Sequence, residues 1–205
     1  MELKQEPPRA WQRMLSGRRL DLLEPSPLDV EIEDIAHGLA RVARWNGQTN
    51  GEHAFSVAQH SIVVWQAFCN LNPKTNPDEQ LMALLHDAPE YVIGDMISPF
   101  KAVIGGEYKI VETRLQEAVH LRYSLPPKTP ENAKAAIKKA DSIAAYFEAT
   151  ELAGFSKEEA KNFFGTPRGF TKEQLDLLPK PAEQAQKEFL GIFQRIERKR
   201  KNRAP

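Results

Sequence analysis

Leu81-Met82-Ala83-Leu84-Leu85-His86-Asp87-Ala88-Pro89-Glu90 decides the fold. Its first half is an apolar run at the end of a well-announced helix. Upstream, Asn76 is a cap residue, Pro77 fits the first helical position, and Glu79 lies three residues after the cap. These are the parts of an N-terminal capping box. Downstream, Pro89 has no N–H to give the carbonyl of Leu85, so the helix should kink or end between His86 and Tyr91. His86, Asp87 and Glu90 therefore fall where a buried helix meets a disturbed backbone.

Working outward, helical periodicity recurs on both sides. Ile35, Leu39 and Val42 follow Ile32 at helical spacing until the Asn46, Gly47 loop, and a second helix is expected from Ser56 to Leu71 with His60 on its inward side. A loop containing Gly94, Pro99, Gly105 and Gly106 leads to a helix near Glu107 to Arg122. Thr129 and Pro130 open another that runs to about Ala153. Ser156 to Glu159 and Thr171 to Gln174 read as capping boxes of short helices, and Pro181 to Lys199 as a final amphipathic helix with a basic end. No strand signal lies between Gly94 and Ala153, and the fold class is all-α. Residues 1–28, rich in Pro, Arg and Leu without a period, read as an extended arm draped over the domain. Residues 29–155 form the core, and 156–205 the C-terminal helices and basic tail packed on that same domain. We find no internal repeat and no low-complexity segment.

The 205 residues are 41% hydrophobic, enough for one sizeable core. Lys and Arg number 28 and Asp and Glu 28, so no net field draws the chain to nucleic acid or membrane. The basic end, Arg195 to Arg203, lacks an interleaved aromatic platform and reads as a solvated helix end. The opening residues carry acids and paired prolines instead of an apolar leader, and no apolar run approaches the ~20 residues of a membrane span. A cytoplasmic protein is the expectation. Cys69, the single cysteine, lies among apolar neighbours and reads as a buried, inert thiol.

The chemistry rests on residues that point inward. Asp87 follows Met82, Ala83, Leu84 and Leu85, and Asp141 shares a small apolar face with Ile137 and Ala145. Two core-facing carboxylates need cationic compensation, which a metal ion supplies. His60 and His86 complete a set of two imidazoles and two carboxylates. Such a set suits one divalent ion among Mn, Co, Ni, Zn, Fe or Mg. Taken singly, each residue has an ordinary alternative: His60 as a hydrogen-bonded core histidine, Asp141 as an acid salt-bridged to Lys138 or Lys139.

The ordered set His60, His86-Asp87 and Asp141 resembles the H…HD…D signature of the HD-domain phosphohydrolases. The stretch from His86 to Lys101, with Glu90, Gly94-Asp95, Ser98-Pro99 and Lys101, is similar to that of the bacterial 5′-deoxynucleotidases of this superfamily. The resemblance covers about residues 30–155. It implies an all-helical fold around a single metal ion, with Glu90 and Asp95 serving catalysis and substrate binding. It also implies a homodimer. In those nucleotidases an arginine and a tryptophan precede the first ligand histidine at the substrate pocket, and Arg44 and Trp45 stand in the comparable place at a slightly different spacing. Arg44 would grip phosphate with its planar fork. Trp45 would crowd the sugar against a 2′-hydroxyl. Two-metal relatives insert two further histidines before the last aspartate, whereas only His120 lies in that interval here. His37 and His53 are assigned no ligand role.

The expected activity is removal of phosphate from (deoxy)nucleoside 5′-monophosphates. The alternatives are a non-catalytic nucleotide-binding module, or a hydrolase of another phosphate ester or of nucleoside triphosphates.

Overall fold

The computed structural model describes residues 9–97, 100, 103 and 106–203. Ser98, Pro99, Lys101 and Gly105 of the sequence reading lie outside the described residues, as do the first eight residues of the arm and the last two of the tail.

Among the described residues there are eight α-helices: α1 (Ile32–Leu39), α2 (Val57–Leu71), α3 (Pro77–Leu84), α4 (Glu90–Ile93), α5 (Gly106–Arg122), α6 (Glu131–Glu151), α7 (Lys157–Phe164) and α8 (Ala182–Lys201). The expected caps are present. Ser56 accepts from the N–H of Gln59, and the Asn76–Glu79, Ser156–Glu159 and Thr171–Gln174 boxes all form. Helix α2 is central, packing on α3 and α6, while α8 closes over α1, α2 and α3. One continuous apolar core results, with Phe55, Phe68, Leu81, Leu84, Leu85 and Phe189 among its fully enclosed side chains. No helix of the described residues is long and apolar enough to cross a membrane.

Three readings need correction. The arm is not wholly irregular: β1 (Trp11–Arg13) and β2 (Arg19–Asp21) form an antiparallel hairpin with Gln12 opposite Leu20. Three-residue strands are too short to show a period. They hold because Leu20 is fully buried and Ser16, in the turn, donates its N–H and hydroxyl to the Asp34 carboxylate of α1 at 3.0 and 2.5 Å. The first helix stops at Leu39, well before Asn46, because Ala43 turns extended to pair with Ser56. There the N–H of Arg44 donates to Phe55 O and that of Val57 to Val42 O, at 2.8 and 2.9 Å. Cys69 is half-buried instead of enclosed, and burial pushes its thiol up to about 11, so it stays protonated near neutrality.

Helix α3 ends at Leu84, and His86 and Asp87 lie in a run of turns, not in a helix. Ala88 N–H donates to Leu85 O, Glu90 N–H to Asp87 O and Tyr91 N–H to Ala88 O, each at 3.1 Å. Pro89 is the cause: the Leu85 carbonyl, left without its usual partner, also accepts from the Gln116 side chain of α5 at 3.0 Å. His86, Asp87 and Glu90 therefore do not follow one another along a continuous helix. Glu90 starts α4 instead and is buried in its own right.

Helix α4 is held by a close approach to α1. A Cβ placed on Gly38 would lie 2.6 Å from the Tyr91 carbonyl oxygen and 2.8 Å from its Cβ, so backbone would have to move. Alanine would gain about 0.5–1 kcal/mol in helix propensity at this position, against about 1–3 kcal/mol for overpacking. The clash wins. Gly38→Ala should lower stability by about 1–2 kcal/mol net of these two effects, read from the midpoint of urea unfolding. An unchanged or raised midpoint would show that α4 yields freely.

Candidate metal centre

Four side chains from three separate stretches of the chain, His60, His86-Asp87 and Asp141, meet where α2, the turns after α3, and α6 come together. His60 of α2 is completely enclosed, whereas the side chains of Asp87 and Asp141 are 27% and 20% exposed, so the imidazole forms the floor and the carboxylates the rim. His60 Nε2 lies 3.5 Å from Asp87 Oδ2 and 3.4 Å from Asp141 Oδ1. His86 Nε2 lies 3.1 Å from Asp87 Oδ2, and the two imidazole rings are 5.3 Å apart. One ligand atom each from His60, His86 and Asp141 lies within 4.8 Å of the other two, a spacing that could hold a cation.

The imidazoles are oriented for that role. His86 Nδ1 is 3.0 Å from the Ala83 carbonyl, which can only accept, so this nitrogen carries a proton. His60 Nδ1 is 2.6 Å from Glu148 Oε1. Each ring thus turns Nε2 into the cluster, and both Nε2 atoms are buried without a hydrogen-bond partner. Two nitrogen atoms without a hydrogen-bond partner, aimed at two carboxylates, fit a divalent ion bound by mixed nitrogen and oxygen donors.

The electrostatics without an ion agree with this. Burial pushes the Asp87 carboxyl up, but the His86 and His60 imidazoles outweigh it and hold the group well below the usual carboxylate range. Asp141 is lowered in the same way, chiefly by His60 against burial. Burial and the Arg44 charge push His60 down, yet Glu148, Asp141 and Asp87 prevail and leave it well above its ordinary value. A cation bound at Nε2 would have to displace that surplus proton. The ordinary alternatives for single residues are present as well. Asp141 Oδ2 does bind Lys138 Nζ at 2.8 Å, while Oδ1 faces His60.

Beside the cluster, Arg44 and Trp45 occupy a turn, Arg44–Gly47. Arg44 Nη1 pairs with Asp95 Oδ2 at 3.1 Å, and Nε lies 3.5 Å from Glu148 Oε2. Its side chain is only 15% exposed, so these ion pairs are largely shielded from solvent. Trp45 donates its indole N–H to Glu148 Oε2 at 3.0 Å and packs against Phe155 and Phe164, with centroids 5.5 and 5.9 Å away. The charges of Glu148, Asp95, Asp87 and Glu90 all bear on Arg44 and together overcome burial, holding its guanidinium protonated. Glu90, buried at the start of α4, contributes to that field. His120 sits apart in role, its Nδ1 2.7 Å from the Pro126 carbonyl, with burial lowering its pKa.

Glu148 was missed. It lies seven residues after Asp141, two turns along the same face of α6, and is the acid in an otherwise apolar run, Ile143 to Ala149. That spacing was the available signal. Its partners come from α2 and from the Arg44–Gly47 turn, and could not be read from α6 alone.

An all-helical bundle carrying an H…HD…D cluster of this geometry defines an HD-type hydrolase scaffold. The family model described as 5′-deoxynucleotidase YfbR-like matches residues 34–182, and the chain belongs to that family. An uncharacterized protein of Rhodobacter capsulatus is 60% identical over 159 residues, covering 78% of this chain and 81% of that protein. The 5′-deoxynucleotidase YfbR of Salmonella arizonae is 26% identical over 74% of this chain and 70% of its own length. Its counterpart in Salmonella paratyphi B is 25% identical, over 89% and 82% respectively.

We propose that His60, His86, Asp87 and Asp141 together hold one divalent cation. Asp87→Ala and Asp141→Ala should each strip the protein of its metal, because no neighbouring carboxylate can replace the one removed. Elemental analysis of purified protein checks this, and stoichiometric metal in either variant would refute the assignment.

Proposed function

We propose that this chain removes phosphate from deoxynucleoside 5′-monophosphates. The observation that carries the reading is the juxtaposition of the His60, His86, Asp87, Asp141 cluster with the half-buried Arg44 and Trp45, which Glu148 joins to His60. Membership of the YfbR-like family supports the same reaction class.

A bound divalent ion supplies positive charge that acidifies water and offsets the charge on the phosphoryl oxygens. The chain's own residues do the rest. Arg44, already aimed by Asp95 and Glu148, presents a planar fork matched to two phosphate oxygens. Asp95 keeps that fork from rotating away, and its paired charge lets the guanidinium remain buried between turnovers. Trp45, fixed by its indole N–H and by two phenyl rings, crowds the sugar so that a 2′-hydroxyl fits poorly. Water attacks phosphorus, the bond from phosphorus to the 5′-oxygen breaks, and the proton lost by water ends on that oxygen. We assign the carrying of that proton to Glu90, which is buried and whose charge is felt by Arg44.

Protein loaded with Mn or Co should release inorganic phosphate faster from deoxynucleoside monophosphates than from ribonucleoside monophosphates. Equal rates, or activity confined to triphosphates, would reject this substrate class, and no release from any nucleotide would favour a non-catalytic binding module.

Glu90→Gln should keep the metal and the fold, since Glu90 lies outside the ligand set. Hydrolysis should still fall by about 10² to 10⁴, the usual worth of a positioned general acid or base. Metal content and turnover are measured on a single preparation. Surviving turnover makes Glu90 structural, and loss of metal makes it part of the binding shell.

A further inference from the structure

Glu148 is shut off from solvent, yet its side chain meets both halves of the site. Its carboxylate is completely enclosed on α6. Oε1 lies 2.6 Å from His60 Nδ1. Oε2 accepts the Trp45 indole N–H at 3.0 Å and faces Arg44 Nε at 3.5 Å. The two oxygens are thus divided, one to the ligand histidine and one to the Arg44–Trp45 pair.

Each contact fixes something that would otherwise be free. Accepting from Nδ1 keeps a proton on that nitrogen, so that once the surplus proton is lost it is Nε2, on the side of Asp87 and Asp141, that offers a lone pair. Accepting from Trp45 anchors a residue whose backbone is in the left-handed region, φ 56°, where a bulky side chain is rarely found and persists only if its surroundings hold it. The next residue, Asn46, has φ 50°, so the turn carries two such positions in succession.

We propose that Glu148 is a positioning residue that locks the metal-ligating tautomer of His60 and, through its second oxygen, the placement of Trp45 and Arg44 at the phosphate and sugar end of the site. The substrate half of this inference rests on the nucleotidase reading above; the His60 half rests on the cluster geometry alone.

Glu148→Gln separates this role from simple space filling because the amide has nearly the same shape but only one acceptor oxygen. If that oxygen faces His60, the NH₂ group meets the Trp45 N–H and Arg44, and the turn loses its anchor. If the NH₂ group faces His60, the ring must accept at Nδ1 and protonate Nε2, which blocks metal binding. One side fails in either orientation. The purified wild type and variant are stripped with chelator and titrated with Co(II), following the visible absorption of the bound ion. Both are then loaded to saturation and assayed for kcat and KM on a deoxynucleoside monophosphate and the matching ribonucleotide.

We expect Co(II) affinity to fall about 10- to 100-fold, or, at saturating Co(II), KM to rise and the preference for deoxyribose to shrink with kcat changed less. Wild-type affinity together with unchanged preference and KM would overturn the proposal. Glu148→Asp keeps the charge but withdraws it by one methylene, and the same two readouts apply if the amide does not fold. On the wild type itself, histidine ¹⁵N NMR of the Zn-loaded protein should show His60 protonated at Nδ1; an Nε2-protonated His60 would overturn the proposal. The titration and the NMR need no turnover. If the wild type hydrolyses no nucleotide, the functional reading falls while the His60 assignment is still decided.

Discussion

An ionised carboxylate without access to water is tolerated only when cations and N–H donors surround it, and Glu148 meets that condition from two other parts of the chain at once. Burial pushes its carboxyl up, but His60, Arg44 and the Trp45 indole N–H hold it below its ordinary value. Removing one partner from such a group typically costs about 3–5 kcal/mol, because the other charge is left stranded. Helices α2 and α6 and the Arg44–Gly47 turn are therefore tied at a point with little freedom to slide. Apolar packing brings α2 against α6, but it is non-directional and does not fix the position of a single polar atom. The hydrogen bonds of Glu148 do.

A second constraint is the proline at position 89. Without it, α3 would continue, and His86 and Asp87 would diverge around a regular helix. With it, the backbone changes to tight turns that place His86 Nε2 and Asp87 Oδ2 3.1 Å apart, and the freed Leu85 carbonyl is taken up by Ala88 and by Gln116 of α5. The same break lets α4 start afresh with Glu90 and seat against Gly38 of α1, where only a residue without a Cβ allows Tyr91 to approach. A local loss of helical hydrogen bonding is thus converted into three directed polar side chains.

The outer layer is less constrained. The hairpin of the arm is held by Leu20 and by the Ser16 to Asp34 hydrogen bonds. The basic end of α8 is partly neutralised rather than free: Arg200 pairs with Asp78 and with Glu197, and Arg195 lies over the Trp65 ring. These contacts consume charge that the sequence shows as a bare basic run.

Helix positions, caps and the break at Pro89 were legible in the sequence because each depends on neighbours within four residues: a cap oxygen, a missing N–H, an apolar period. The fold class and the residue types of the cluster followed from the same local signals, and the order His60, His86-Asp87, Asp141 matched a known signature. What sequence could not supply was anything between residues far apart in the chain. The hairpin at Leu20, the early stop of α1 at the Ala43–Ser56 bridge, and the part of Glu148 all depend on pairings across 6 to 104 residues, and no local pattern encodes their distances. His60 and Asp141 were each readable as ordinary core or salt-bridged residues. The tertiary structure alone decided that their ligand atoms converge, because only packing α2 against α6 brings Nε2 and Oδ1 within 3.4 Å and turns the unsatisfied edge of each toward the same point.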